Sequence, residues 1–290
     1  MQEDIDGYPW ERAVSYIKTE KLGAVGVLTM ERRERFNAMD VEMARDFRAA
    51  GLLLARDPEV RAVLLRGYPG VFSSGADLKY IRGGGDQASL GYLSPKAREV
   101  PKGYGEVFKQ ILEYLHSTIS EIRRSAKPWI AAVDGIAAAG GFGIAMSCDL
   151  VVASERAAFE WAYGKTALTG AESSTFMITR LVGLRRAMEL ALLNPRLDAQ
   201  AALGMGLINR VLPGEGFDAA ALALAASVAA GPTRSFAVTK QLLNQSAGLD
   251  RLDFHLDREL DELSRIADTP DFAEGLAAFF AKRPADFRGR

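Results

Sequence analysis

The stretch Lys127-Pro-Trp-Ile-Ala-Ala-Val-Asp-Gly-Ile-Ala-Ala-Ala-Gly-Gly-Phe-Gly-Ile-Ala-Met-Ser-Cys-Asp149 constrains the fold more than any other in the chain. An apolar run over Trp129 to Val133 follows the Lys-Pro stop and reads as a buried strand. The chain then meets Gly140 and Gly141, two residues without side chains, and continues as an apolar helix. A strand that runs into such a turn bares backbone N–H groups at the positive end of a helix dipole, where an anion or a developing oxyanion is stabilised. The plain alternative for a small-residue turn is tight strand-to-helix packing.

A second turn has the same character. Phe72-Ser-Ser-Gly-Ala-Asp-Leu-Lys79 follows the apolar run Ala62-Val-Leu-Leu65 and again puts small residues, Gly75 and Ala76, where an N–H faces a cleft. One N–H from each turn is enough to polarise a single carbonyl.

The rest of the chain alternates strands and helices. Val14 to Glu20 and Val25 to Met30 read as a hairpin with Gly23 in its turn. Asp40 is placed to cap a helix whose apolar positions Met43, Phe47, Ala50 and Leu54 recur at helical spacing, with Glu42 in the first turn and an end near Asp57-Pro58. Arg61 to Arg66 is a short buried strand. Gly83 to Gly103 is irregular, either a surface loop or a lid over a channel. Tyr104 to Arg124 is a long helix, Leu150 to Ala153 a strand and Ala158 to Ala162 a further one. From Ser173 onward the pattern is almost entirely helical, so the chain reads as α/β followed by a helical tail.

The chain has 290 residues and 48% apolar composition, enough to bury a full core. Its 36 basic and 37 acidic residues give a net charge of −1, which leaves no electrostatic footprint for nucleic acid or an anionic membrane. Any anionic ligand must be held by local clusters. The one cysteine, Cys148, precludes an internal disulfide and has no companion for a thiolate metal site. An acidic N-terminus and the lack of a run of about 18 apolar residues argue for a cytoplasmic protein with no membrane attachment.

From about Val14 to Phe287 the sequence resembles the crotonase (enoyl-CoA hydratase/isomerase) superfamily. The resemblance is carried by Glu31-Arg-Arg-Glu-Arg-Phe-Asn-Ala-Met39, the two turns above, Leu181-Val-Gly-Leu-Arg-Arg-Ala-Met-Glu189, Gly204-Met-Gly-Leu-Ile-Asn-Arg-Val-Leu-Pro213 and Lys282-Arg-Pro-Ala-Asp-Phe287. It implies an α/β fold built as a spiral of ββα repeats, a core over residues 1–212, and a helical region over 213–290 that assembles a homotrimer or homohexamer, with Phe279 and Phe280 among its apolar residues. It implies an acyl-CoA thioester as substrate, no other cofactor, no metal and no nucleic-acid partner.

The resemblance also assigns roles to residues. Ala76 and Gly140 would hold the thioester oxygen. Arg35, Asn37, Ala38, Ser74, Asp77 and Leu78 would meet coenzyme A, and Lys282 would meet it from a neighbouring subunit; each charged member is otherwise a solvated charge. Relatives that add water to a double bond carry two glutamates, which fall here at Gly143 and Tyr163. Relatives with other chemistries use an Asp that falls at Ala171, and the next residue here is Glu172.

Glu172 is therefore either the acid–base group or an acidic residue favoured by the helix starting near Ser173. Tyr163 either donates a hydrogen bond to the acyl group or lines a pocket wall, with Trp161 on its face if the stretch is extended. His116 is either a pocket histidine or a structural one, and His255 looks solvated. The function expected is isomerase- or hydrolase-like turnover of an acyl-CoA. The alternatives are a hydratase with relocated acid–base groups and a catalytically weak acyl-CoA-binding protein.

Overall fold

Each strand of the ββα repeats goes to a different sheet. The computed structural model describes residues 16–85 and 103–290. Strands β1 (Ile17–Leu22), β2 (Val25–Met30), β3 (Ala62–Arg66), β5 (Trp129–Val133), β7 (Leu150–Ser154) and β10 (Arg210–Leu212) form a six-stranded sheet in the order β1-β2-β3-β5-β7-β10. Strands β4 (Val71–Ser73), β6 (Ile136–Ala138), β8 (Ala158–Glu160) and β9 (Arg196–Asp198) form a second sheet in the order β4-β6-β8-β9. The pairs β3/β4, β5/β6 and β7/β8 each place one strand in each sheet. The chain thus winds as a spiral, as the family resemblance implies. All neighbours are parallel except the β1–β2 hairpin and β8–β9.

Both faces of the large sheet are covered, which is why its central strands are continuously apolar rather than alternating. Val63, Leu65, Trp129, Ala131 and Val133 face the main core, packed against α1 (Val41–Arg56) and α3 (Tyr104–Arg124). Val25, Val27, Ala62, Leu64, Ile130, Ala132 and Val152 face the other way, and α7 (Phe217–Ala230) closes over them with Phe217, Ala221, Ala225 and Ala229. Burying a side chain such as Leu64 contributes about 1.5–3 kcal/mol.

The remaining helices are α2 (Leu78–Arg82), α4 (Gly140–Ser147), α5 (Ser174–Leu193), α6 (Ala199–Met205), α8 (Thr233–Ser246), α9 (Leu252–Ala267) and α10 (Pro270–Ala281). Helix α1 is capped as expected: the Asp40 carboxylate accepts from the Met43 N–H at 2.9 Å. Helix α5 is broken at Gly183, whose φ is +78°. Among the described residues no single helix is long and apolar enough to cross a membrane.

Two local expectations change. The strand expected over Ala158–Ala162 ends at Glu160, because Ala162 adopts a left-handed conformation (φ +61°) and Tyr163 begins a 3₁₀ turn. The tail is not wholly helical: β9 and β10, three residues each, add an edge to each sheet. The irregular segment from Gly83 to Gly103 falls mostly outside the described residues, as does Val14.

Candidate active site

Because β4, β6 and β8 are adjacent parallel strands, the three turns that leave their C-terminal ends lie side by side. The C-terminal edge of parallel strands is where α/β proteins place ligands. A cavity of about 460 Å³ opens there. The first turn contributes Ser74, Ala76, Asp77 and Leu78, the second Ala139 and Gly140, and the third Tyr163 and Glu172. Phe108, Leu168, Leu263, Phe279 and Phe280 supply apolar walls, and Arg35 and Lys79 supply cations.

The first two turns touch. A Cβ on Gly75 would lie 2.9 Å from the Ala139 Cβ and 3.0 Å from the Gly140 nitrogen, and the φ of Gly75 is +93°. Only glycine allows both the close approach and the conformation. Gly141 is pressed against β4, so that a Cβ there would overlap the Ser73 carbonyl oxygen. Among the described residues neither the Ala76 nor the Gly140 N–H finds an acceptor in the protein. Gly140 is the first residue of α4, so its N–H is one of the donors a helix leaves unpaired.

The third turn fills a void in the second. A Cβ on Gly143 would fall 2.8 Å from the Glu172 Cβ, so the backbone of Glu172 occupies the space a side chain at 143 would need. The Glu172 carboxylate then reaches Gly140: a Cβ there would stand 2.8 Å from its Oε1. The Tyr163 hydroxyl donates to Glu172 Oε2 at 2.5 Å and lies 3.1 Å from the Ala171 carbonyl oxygen. Thus Gly143, Tyr163 and Glu172, separated by twenty residues or more at the extremes, meet at one point.

The electrostatics of this point follow from burial. Desolvation pushes the Glu172 carboxyl up to about 7; the Tyr163 hydrogen bond opposes this and the charge of Glu259 reinforces it. Desolvation raises the Tyr163 phenol well above its ordinary value, so it acts as a donor. His116 lies behind Glu172, outside the cavity lining. Burial pulls it down to about 4, and its neutral Nε2 accepts from the Glu172 N–H at 3.2 Å.

Other expected residues divide between cavity and scaffold. Arg35, Ala38, Ser74, Asp77 and Leu78 line the cavity. Asp77 also caps α2 and pairs with Arg32 at 3.2 Å. Asn37 does not face the cavity. Its side chain accepts from the Arg32 N–H at 2.7 Å and donates to the Met30 and Phe72 carbonyls at 3.1 and 2.9 Å, pinning the segment that carries Arg35. Lys282 follows α10 in a left-handed conformation and is not part of the lining. Trp161 meets Tyr163 edge-on at 5.1 Å behind the wall, although through a turn rather than by strand alternation. His255 is only partly exposed, with its Nε2 2.7 Å from Thr175 Oγ1. Glu259, buried on α9, was not singled out from the sequence. The signal is its place in the stripe Leu252, Leu256, Glu259, Leu263, where every other member is apolar.

Residues 20–290 match the sequence profile of the family described as Enoyl-CoA hydratase/isomerase. The chain belongs to this family. It is 30% identical over 92% of its length to "4-chlorobenzoyl coenzyme A dehalogenase-2" of Arthrobacter sp, covering 91% of that protein. It is 31% identical over 92% of its length to "1,2-epoxyphenylacetyl-CoA isomerase" of Escherichia coli (strain K12), covering 95% of it. A solved enoyl-CoA hydratase from Mycobacterium avium subsp. paratuberculosis K-10 superposes with a TM-score of 0.81 at 31% identity, covering 95% of this chain and 99% of that one. The crotonase-superfamily member is accordingly an acyl-CoA enzyme whose relatives perform different reactions.

Proposed function

We propose that this enoyl-CoA hydratase/isomerase family member moves a double bond within an acyl-CoA thioester, with Glu172 as the one proton carrier. The observation that carries the reading is the placement of the buried Glu172 carboxyl, raised to about 7, against the Gly140 turn. A general base works best when its proton affinity lies near the working pH.

In this reading the Ala76 and Gly140 N–H groups hold the thioester oxygen. The Glu172 carboxylate removes a proton from a carbon conjugated, directly or through the double bond, to the thioester, and the electron pair moves onto that oxygen as an enolate. Glu172 returns the proton to a different carbon, and the double bond forms in its new position with no net gain or loss of atoms. Tyr163 steadies the carboxylate between the two transfers. Hydration needs a second group to share the water, and the two places where hydratase relatives carry glutamates hold Gly143 and Tyr163. A carboxylate that must attack an aromatic ring as nucleophile would be served by a lowered proton affinity, the opposite of what burial produces here.

Arg35 and Lys79 at the cavity are the cations for the phosphates of coenzyme A, with the backbone of Ala38 and Ser74 beside them. Lys282 serves a neighbouring subunit's coenzyme A in a trimer. The test is to incubate a panel of acyl-CoA thioesters with the protein in D₂O and read products by mass spectrometry. Isomerisation predicts products of unchanged composition with the double bond moved and less than one solvent deuterium taken up per turnover, because the buried Glu172 carries the same proton between the two carbons, and crotonyl-CoA hydration slower by about 10²–10⁴-fold than in a two-glutamate relative. Water addition at a two-glutamate rate would overturn the reading.

A further inference from the structure

We infer that Glu259 is a positioning residue of this site, clamping from α9 the strained turn that carries Glu172. The inference rests on the reading of Glu172 as the acid–base group. Glu172 and Ser173 are consecutive non-glycine residues in the left-handed region, with φ of +50° and +60°. Such residues persist only where their surroundings over-determine them, and they gather at functional sites.

The determinants here are specific. Glu259 Oε2 accepts from the Ser173 N–H at 2.8 Å, and Oε1 accepts from the Thr175 N–H at 3.0 Å and from the Thr175 hydroxyl. His116, from α3, takes the Glu172 N–H. The N–H groups of Glu172, Ser173 and Thr175 at the start of α5 are thus held by two side chains from other helices, while that of Ser174 goes to the Ala171 carbonyl.

An ordinary helix start would cap itself. The sequence offers Ser173 at the cap position, yet among the described residues Ser173 makes no side-chain cap bond and its buried hydroxyl finds no partner. The left-handed turn aims that side chain elsewhere, so the cap comes from Glu259. If residues 172 and 173 relaxed to right-handed values, the Glu172 side chain would leave the Gly140 turn. Glu259 does not line the cavity, so it acts through Glu172 and not on the ligand.

Its charge gives a second effect. The titratable groups packed around Glu172 are Tyr163, His116 and Glu259, with His255 3.5 Å from Glu259 on its far side. Tyr163 is held in its neutral form by burial, and so is His116 at neutral pH. Glu259 raises the proton affinity of Glu172 by repulsion. Neutralising Glu259 therefore lowers the pH at which Glu172 becomes a base.

The experiment compares Glu259→Gln, Glu259→Ala and Glu172→Gln on the substrate found by the thioester panel. Expected are folded proteins, unchanged acyl-CoA affinity, a kcat lower by about 10²-fold in Glu259→Ala, and in Glu259→Gln an acid limb of kcat/KM displaced to lower pH. A cap with no role in the site would cost stability and leave the acid limb in place. Parental kcat and acid limb in both Glu259 variants, with Glu172→Gln inactive, overturn the positioning role alone. Parental kcat in Glu172→Gln overturns the acid–base reading and the clamp with it. Failure of both Glu259 variants to fold makes Glu259 a requirement of the fold at large and overturns the assignment.

Discussion

Two buried residues joined through the Glu172 backbone N–H, Glu172 and His116, are displaced in opposite senses from their ordinary values of 4.5 and 6.5, to about 7 and about 4. The Glu172 carboxyl is raised, so its contribution to stability is fully present below pH 4.5 and lost as the pH rises through about 7. The His116 ring is lowered, so its contribution is fully present above pH 6.5 and lost as the pH falls through about 4. Each is on the order of 3 kcal/mol and the two slopes cancel over the shared window. Single substitutions uncover them. Relative to the parent, Glu172→Gln gains stability on going from pH 5 to pH 8, whereas His116→Gln gains it on going from pH 8 to pH 5. Urea unfolding of both variants at the two pH values checks this. Equal differences at both pH values would show that neither group is perturbed by folding. A gain of stability with a loss of turnover in Glu172→Gln is the pattern of a group kept against the interest of the fold.

Among the elements, the turn at the start of α4 bears on folding and, in the proposed function, on chemistry through adjacent residues. Gly140→Ala puts a Cβ against the flexible end of Glu172 and improves the helix start, so the protein folds while turnover falls by about 10²-fold or more. Gly141→Ala drives a Cβ into the backbone of β4 and costs about 1–3 kcal/mol. Melting temperature and turnover on the two variants separate these effects, and parental turnover in Gly140→Ala would remove that residue from the site. The turn itself, the helix over Tyr104–Arg124 and the strand over Trp129–Val133 are legible in the sequence, because apolar runs and the Lys-Pro stop mark them without tertiary help. Other features carry no local mark. β9 has three residues, too few for a period, and is defined by pairing with β8. Ala162 turns left-handed with no glycine to announce it, which ends a strand that composition would continue. Glu172 could be counted along the chain, but its bond to Tyr163 arises only when α5 starts in a left-handed turn. Glu259 reads as one more surface acid unless its stripe is noticed.

At the scale of the molecule, apolar surface is left uncovered in the helical tail, where Leu242, Leu243, Phe254 and Phe279 are each more than half exposed, and on the helix before it. Phe279 and Phe280 wall the cavity, with the Arg82 guanidinium 3.6 Å over the Phe280 ring. Exposed as well are Leu184, Met188 and Leu192, at 62%, 52% and 75%, in line along the second half of α5. Covering residues of this kind is worth about 1.5–3 kcal/mol each. The proposed trimer or hexamer predicts that sedimentation at micromolar concentration finds no monomer, and that Leu184→Glu with Met188→Glu releases monomers of native secondary structure. A monomeric parent would end the assembly reading. The void at Gly143 has a different kind of consequence, one for descent. Three turns from successive repeats abut around one cavity, so a carboxylate supplied by any of them arrives at nearly the same place. Reaction type can then drift from one repeat to another by exchanging a glycine for an acid in one turn and the reverse in the next, while the winding of the chain stays untouched. Lineages of such a fold are expected to diverge in chemistry sooner than in architecture.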